Sequence, residues 1–321
     1  MEEKQRVLVC GASGFLGRNI LGRLQKRENL DVRGAYFTKL LEFAKAPNMS
    51  FCNFLNEEMC LEQTQGVDVL VQCAAETAGS GRKKDWPRFA CDNIRMNQNL
   101  IETAVANGVK HFIFLSCSVM YPVNLDMPVQ EEWVDESKIH EGYFVGAKAK
   151  LIVEDLMKIH ARIGDTHFTS VRHSNIYGPY DKFDLKNSHV MAATIQKTME
   201  SRDGQLHMRG GMNTIRDLLY VSDFVNFIED SVVFGPRGKF NVFNVGSGQG
   251  ISIGELAEKV VKVSGKNLKV VFEKEKDLRP ASIVLDTKKA RNITGWRPVV
   301  SLEQGIEQTI EWWKETYEHK S

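Results

Sequence analysis

The chain of 321 residues lacks an excess of either charge: 42 Lys and Arg stand against 41 Asp and Glu, a net charge of +1. A polyanion or an anionic bilayer selects a basic surface, so neither nucleic acid nor a membrane surface is an expected partner. No run approaches the roughly 18 uninterrupted apolar residues of a membrane span. The opening Met1-Glu2-Glu3-Lys4-Gln5-Arg6 has no apolar segment of a secretory signal, and a cytosolic location is expected. Cysteine is absent after residue 117, and Cys10, Cys52, Cys60, Cys73, Cys91 and Cys117 include no Cys-x-x-Cys pair. Reduced, mostly buried thiols are expected, with Cys117 set apart below, and no metal site. There is no internal repeat, low-complexity tract or linker, which excludes a solenoid and argues against separately folding lobes.

What is present is an apolar strand, Val7-Leu8-Val9-Cys10, running straight into Gly11-Ala12-Ser13-Gly14-Phe15-Leu16-Gly17 and a helical run from Arg18 to Leu24. Glycines let such a turn close tightly and approach phosphates, and the helix start offers free N–H groups and the positive end of its dipole. That combination seats a dinucleotide pyrophosphate, on Gly11, Ser13, Gly14, Phe15, Leu16 and Gly17. Further β-rich runs at Val32–Phe37, Val67–Cys73, Phe112–Ser116 and Phe168–Arg172 alternate with helical stretches near 15–26, 58–64, 90–108 and 146–163. Such alternation predicts a doubly wound α/β fold with a parallel sheet. After about residue 178 the rhythm breaks into loops and short elements. We expect a dinucleotide-binding domain over 1–178 and a smaller mixed α/β substrate lobe over 179–321, interwoven, with 215–245 returning to the first domain.

Four more segments extend the pattern: Cys73-Ala74-Ala75, Ser116-Cys117-Ser118-Val119-Met120-Tyr121-Pro122, Arg172-His173-Ser174-Asn175-Ile176-Tyr177-Gly178-Pro179, and Arg279-Pro280 with Asp286 and Gly295-Trp296. On these the chain resembles, over essentially its whole length, the extended short-chain dehydrogenase/reductase family that modifies nucleotide-linked sugars. Asn187-Ser188-His189-Val190 and Ile215-Arg216-Asp217 are most similar to its branch that epimerises and reduces GDP-4-keto-6-deoxymannose.

The resemblance implies a Tyr-x-x-x-Lys pair in which lysine lowers the phenol pKa and holds the nicotinamide ribose. Lys148 fits the lysine position, but Phe144 stands four residues earlier, and phenylalanine has no proton to exchange. Three readings stay open: Phe144 is an introduced substitution that traps substrate, Tyr143 takes over through a local helix distortion, or another group is the acid. The hydrogen-bonding Ser/Thr position is Cys117, flanked by Ser118, and the branch's epimerisation cysteine would fall at Val119. The cysteine has moved, or epimerisation is absent, or Cys117 is a plain strand-end residue.

His189 matches the branch's epimerisation acid, and Asn175, Asn187, Arg216 and Arg279 match substrate-gripping positions. Ala74, Ala75, His173 and Lys148 join the cofactor set. After the second strand, Ala35-Tyr36-Phe37-Thr38-Lys39 carries no acid to bind an adenosine ribose, and Lys39 is nearby, so NADP(H) is favoured over NAD(H), with Asn53 near the adenine. The expected enzyme reduces a GDP-linked 4-keto-6-deoxy sugar or close analogue, with or without C3/C5 epimerisation. The alternatives are a nucleotide-sugar 4-epimerase or dehydratase with a tightly held cofactor, and a catalytically weak NADP-binding regulatory protein. A homodimer paired through helices 90–108 and 146–163 is implied, with Leu100, Ile101, Leu151, Ile152 and Leu156 as contacts.

Overall fold

The computed structural model describes residues 3–37, 48–76, 85–185, 188–209, 211–273 and 281–318. Lys39, Asn187 and Arg279 lie outside the described residues.

In chain order the elements of the first half are β1 (Gln5–Cys10), α1 (Phe15–Leu24), β2 (Leu30–Tyr36), β3 (Met49–Phe51), α2 (Glu57–Thr64), β4 (Val69–Gln72), α3 (Trp86–Ala106), β5 (His111–Cys117), α4 (Phe144–Ile163) and β6 (His167–His173). The second half adds β7 (Asn175–Tyr177), α5 (Val190–Glu200), β8 (Gln205–Met208), β9 (Ile215–Tyr220), α6 (Val221–Val233), β10 (Phe240–Val245), β11 (Gly250–Ser252), α7 (Ile253–Ser264), β12 (Lys269–Phe272), α8 (Lys288–Thr294) and α9 (Leu302–Tyr317).

Seven parallel strands form the main sheet in the order β10-β6-β5-β4-β1-β2-β3. Its strands are apolar on both sides because both faces are covered. Val7, Val9, Val71 and Val171 face one way, into a core with Ile20 of α1 and Phe224 of α6. Their alternating neighbours Leu8, Cys10, Leu70 and Phe168 face the other way, against Leu100 of α3 and Met157 of α4. The expected doubly wound sheet is present, and β3, too short to stand out in the sequence, adds an edge. β10 comes from the second half and pairs with β6, so the chain returns to the sheet after building β7, α5, β8, β9 and α6. The smaller sheets β11-β9-β7 and β12-β8 sit in the second half.

Strand order reverses between β1 and β4, and this opens a crevice beyond the carboxyl ends of those two strands, where open α/β sheets bind ligands.

α4 is locked to the sheet by a buried charge network. Glu154, fully buried, accepts from Arg172 Nε at 3.0 Å and Nη2 at 2.5 Å, from Ser116 Oγ at 2.9 Å and from Ser170 Oγ at 2.8 Å. Arg172 also donates to Tyr121 Oη at 3.0 Å and to the Glu131 carbonyl at 2.8 Å. With nearly every lone pair and proton used, the pair is tolerated in a medium that would otherwise penalise both charges.

No helix among the described residues is long and apolar enough to cross a membrane. Leu100 and Ile101 are sealed in the protomer's own core, and Leu151 packs on Met120 and Ala147, so these three are unavailable to a partner subunit. On α4 the exposed large apolar residues are Phe144 in the first turn and Ile152, Ile159 and Ile163 further along.

His111 is buried in β5 with Nε2 at 2.8 Å from Thr169 Oγ1, and burial pushes its pKa down to about 3. The native state therefore keeps it neutral, whereas an unfolded histidine takes a proton near pH 6.5. The stability contributed is complete above that pH and is lost as pH falls towards 3. Urea midpoints should give a protein about 1–2 kcal/mol less stable at pH 5 than at pH 7.5. A His111→Gln protein, which cannot titrate there, should lose much of that slope; an unchanged slope would show that His111 does not set it.

Candidate active site

The glycine turn lies at the strand-order reversal. Gly11 has φ +75°, and a Cβ there would come within 2.6 Å of the Ala74 backbone nitrogen. A Cβ on Gly17 would stand 2.2 Å from the Gly11 carbonyl oxygen. Both positions admit only glycine without backbone movement. Gly14 is the N-cap of α1, which has no side-chain cap and no acidic residue in its first turn. The helix start of Phe15, Leu16 and Gly17, with Ser13 before it, is therefore left open to an anion. The loop after β4 is tied opposite: the Ala74 N–H donates to Gln72 Oε1 at 3.1 Å, and Asn93 of α3 brackets Glu76 with bonds of 3.0 and 2.9 Å. This cradle fits a dinucleotide. Asn53, just past β3, uses its Oδ1 to accept the Leu55 N–H at 3.2 Å.

A cavity of about 290 Å³ continues from the cradle between α3, α4 and the end of β5, lined by Ala75, Asn93, Cys117, Tyr143, Gly146 and Lys150 among others. Lys150 donates to the Leu115 carbonyl at 2.7 Å and lies 4.4 Å from the Phe114 ring centre. Withdrawal from water lowers its pKa, with Cys117 and Glu154 pulling the other way. Burial pushes the Cys117 thiol up, opposed by Lys150, so at neutral pH it is a protonated, weak donor and not a thiolate. His173 lies beside Cys117 in the β5–β6 register, gives its Nδ1 to the Ser174 carbonyl at 2.7 Å, and is driven by burial to a pKa of about 4. Ser118 is buried, its N–H bonded to the His173 carbonyl at 3.1 Å.

The lysine position expected from the sequence needs correction. Lys148 is not among the residues lining the cavity; its ammonium pairs with Glu136 at the surface. Phe144 is 49% exposed and also outside the cavity. An α-helix turns about 100° per residue, so residue 148 lies about 200° from residue 150. Lys150, not Lys148, is on the inward face, one turn before the pinned Glu154. Four residues before Lys150 stands Gly146, which has no side chain, and where its Cβ would be nothing lies within 4 Å.

Above this cavity opens a cleft of about 950 Å³, lined by Tyr143, Ser188, Thr194, Lys197, Arg209 and Arg216 among others. Arg216 is steadied by the Ala281 carbonyl at 2.7 Å. Ser188 Oγ is buried with no partner among the described residues, a polar atom turned towards the cleft wall. Asn175 donates to the Asp217 carbonyl at 3.2 Å and so braces β9 under Arg216. His189, between two cleft residues, sets Nδ1 3.1 Å from the buried carboxylate of Asp181, and that hydrogen bond raises its pKa. Asp181, Lys150 and Gly146 were not singled out in the sequence. A lysine one turn ahead of a glutamate on an otherwise apolar helix face was the available signal for Lys150.

A parallel sheet with a glycine cradle at its switch point and a lysine-bearing cavity beyond it defines a Rossmann-type dinucleotide-binding protein. The chain belongs to the NAD dependent epimerase/dehydratase family, whose model matches residues 7–246. It is 32% identical to GDP-L-fucose synthase of Sinorhizobium fredii, over 96% of this chain and 95% of that protein. It is 25% identical to GDP-L-colitose synthase of Yersinia pseudotuberculosis, over 96% and 97%. Among solved structures, UDP-glucose 4-epimerase of Thermotoga maritima superposes with a TM-score of 0.83 at 25% identity, covering 97% of this chain and 99% of that one.

The two lysines separate cleanly by experiment. Lys150→Met should cut turnover by roughly 10²–10⁴-fold, the range of a lost acid–base group. Lys148→Met, which breaks only the exposed pair with Glu136, should stay within about threefold of wild type. The reverse order in steady-state kinetics would return the role to Lys148.

Proposed function

We propose that the protein is an NADP(H)-dependent nucleotide-sugar reductase whose substrate is a GDP-linked 4-keto-6-deoxyhexose or a close analogue. The observation that carries this reading is the Lys150 ammonium beside Cys117 in a cavity that borders the loop after β4, opposite the glycine turn, and meets at Tyr143 a cleft lined by Arg216 and Lys197, with Arg209 paired to Glu273. The relatives named GDP-L-fucose and GDP-L-colitose synthase support the GDP-linked deoxysugar. When bound, the nicotinamide cofactor supplies the reducing equivalents. Gly11, Gly14 and Gly17, with the open start of α1, would hold its pyrophosphate, and Lys150 in the adjoining cavity would hold its ribose hydroxyls. The β2 exit at Ala35-Tyr36-Phe37 carries no carboxylate, which favours the 2′-phosphorylated form. Planar guanidinium groups take two phosphate oxygens at once, and Arg216 is poised in the cleft to grip the diphosphate. Cys117 and Ser118 stand at the strand end where the sugar oxygen is held. The exposed Ile152, Ile159 and Ile163 of α4 are the face we assign to a twofold partner.

A nucleotide-sugar 4-epimerase is the second reading, favoured by the resemblance to the Thermotoga maritima 4-epimerase. Stoichiometry separates the two. Incubation with GDP-4-keto-6-deoxymannose should consume one NADPH per sugar reduced; conversion of GDP- or UDP-hexoses without net NADPH loss would replace the reductase by the epimerase. Binding of NADPH with no turnover of any nucleotide sugar would favour a regulatory protein.

In this reading His189 reprotonates a carbanion next to the ketone if epimerisation accompanies reduction. The Asp181 carboxylate keeps the imidazole protonated to higher pH than a free histidine. Asp181→Asn, which removes the carboxylate that raises the His189 pKa, should therefore move the pH at which deuterium exchange at C3 and C5 declines downward. An unmoved profile would remove His189 from that step.

A further inference from the structure

Gly146 leaves the cavity without a side chain one turn before Lys150. Some other group must then give a proton to the sugar oxygen. Cys117 is held as a thiol by burial and is a poor donor. Tyr143 has both position and chemistry. It is the N-cap of α4, with φ −112° and ψ −8°, seven residues before Lys150. Seven residues are two helical turns, which return to within about 20° of the same face. The distortion weighed from the sequence is a short 3₁₀ turn, Glu141–Tyr143, ahead of the helix. Among the described residues Tyr143 alone lines both the 290 Å³ cavity and the 950 Å³ cleft. It therefore stands at the opening through which a nucleotide held in the cleft would present its sugar to the cavity. Its ring packs on His140 at 5.2 Å between centres, and His140 is fixed in turn by accepting the Gly142 N–H at 3.1 Å.

Resting on the reductase reading, we propose that Tyr143 is the proton donor of this site, displaced from the usual place one turn before the lysine to two turns before it. The phenolic O–H bond breaks as an O–H bond forms at the C4 oxygen of the sugar, while C4 accepts a hydride from the reduced nicotinamide and the ketone becomes an alcohol. The phenolate recovers its proton from water in the cleft. The Lys150 ammonium on the same face stabilises the phenolate, and the missing side chain at Gly146 leaves the path between them clear.

The test is single-turnover NADPH oxidation with GDP-4-keto-6-deoxymannose. Tyr143→Phe keeps the ring on His140 and removes one oxygen, so the fold and NADPH affinity should be unchanged. We expect the rate of NADPH oxidation to fall by roughly 10²–10⁴-fold, with KM within about threefold. Phe144→Leu should act as wild type. A Tyr143→Phe rate within threefold of wild type overturns the proposal, as does a loss confined to KM, which would make Tyr143 a binding wall. A wild-type protein that binds NADPH but reduces no nucleotide-linked ketone overturns the reductase reading itself, and the role of Tyr143 falls with it.

Discussion

The ion pair between Glu154 and Arg172 sets the rotational phase of α4, and the composition of the cavity depends on that phase. A helix laid on a sheet by apolar contacts alone can rotate or slide by fractions of a turn at small cost, because Ala, Val and Met side chains tolerate repacking. A buried carboxylate held by a guanidinium and two hydroxyls cannot. Leaving either charge unpaired costs about 3–5 kcal/mol, a large share of an ordinary domain's stability of about 5–15 kcal/mol. With Glu154 fixed, Lys150 one turn earlier has to lie over the end of β5, and Lys148 has to face solvent. The pair thus contributes through what it forbids.

The sheet acts on the other half of the site in a similar way. Gly11 and Ala74 are in contact because β1 and β4 are neighbours, and the crevice exists because the chain leaves that pair of strands in opposite directions. The cradle for the cofactor is made of backbone and so varies little. The cleft is lined by side chains of α5, β8 and β9, elements with no part in the main sheet, and its selectivity can change without disturbing the fold. β10 then crosses back to pair with β6, which ties the cleft-bearing half to the sheet and keeps the two parts of the site at a fixed distance.

The fold was legible because strand and helix periods alternate along the first half, and the glycine turn needs no tertiary information to be read. The lysine was not. Lys148 and Lys150 are two residues apart in a stretch where Ala147, Ala149, Leu151 and Val153 are all apolar, so the hydrophobic pattern does not say which face is buried. A charged residue normally marks the outer face of a helix. Here Glu154 marks the inner one, a signal that the spacing of Lys150 and Glu154 carries and that its partners on β5 and β6, brought together by the fold, make plain. The contact between His189 and Asp181 was hidden for a similar reason, since the two residues meet across a loop that has no periodicity.

Correcting the lysine also changes what the missing phenol means. With Lys148 in the site, Phe144 reads as one deleted oxygen at an otherwise ordinary position, and restoring it would restore the chemistry. With Lys150 in the site, the vacancy is at Gly146, where a whole side chain is absent, and Phe144 faces solvent. A glycine in the first turn of a helix costs stability relative to alanine by roughly 0.5–1 kcal/mol, and neither a tight turn nor a close backbone contact requires one there. What the glycine does is leave the cavity that Cys117, Lys150 and Tyr143 line without a side chain at that point. The departure from the familiar pattern is therefore one of geometry. A proton donor and its lysine need to share a face and a cavity, and a spacing of two turns meets that condition as a spacing of one turn does, provided that nothing stands between them.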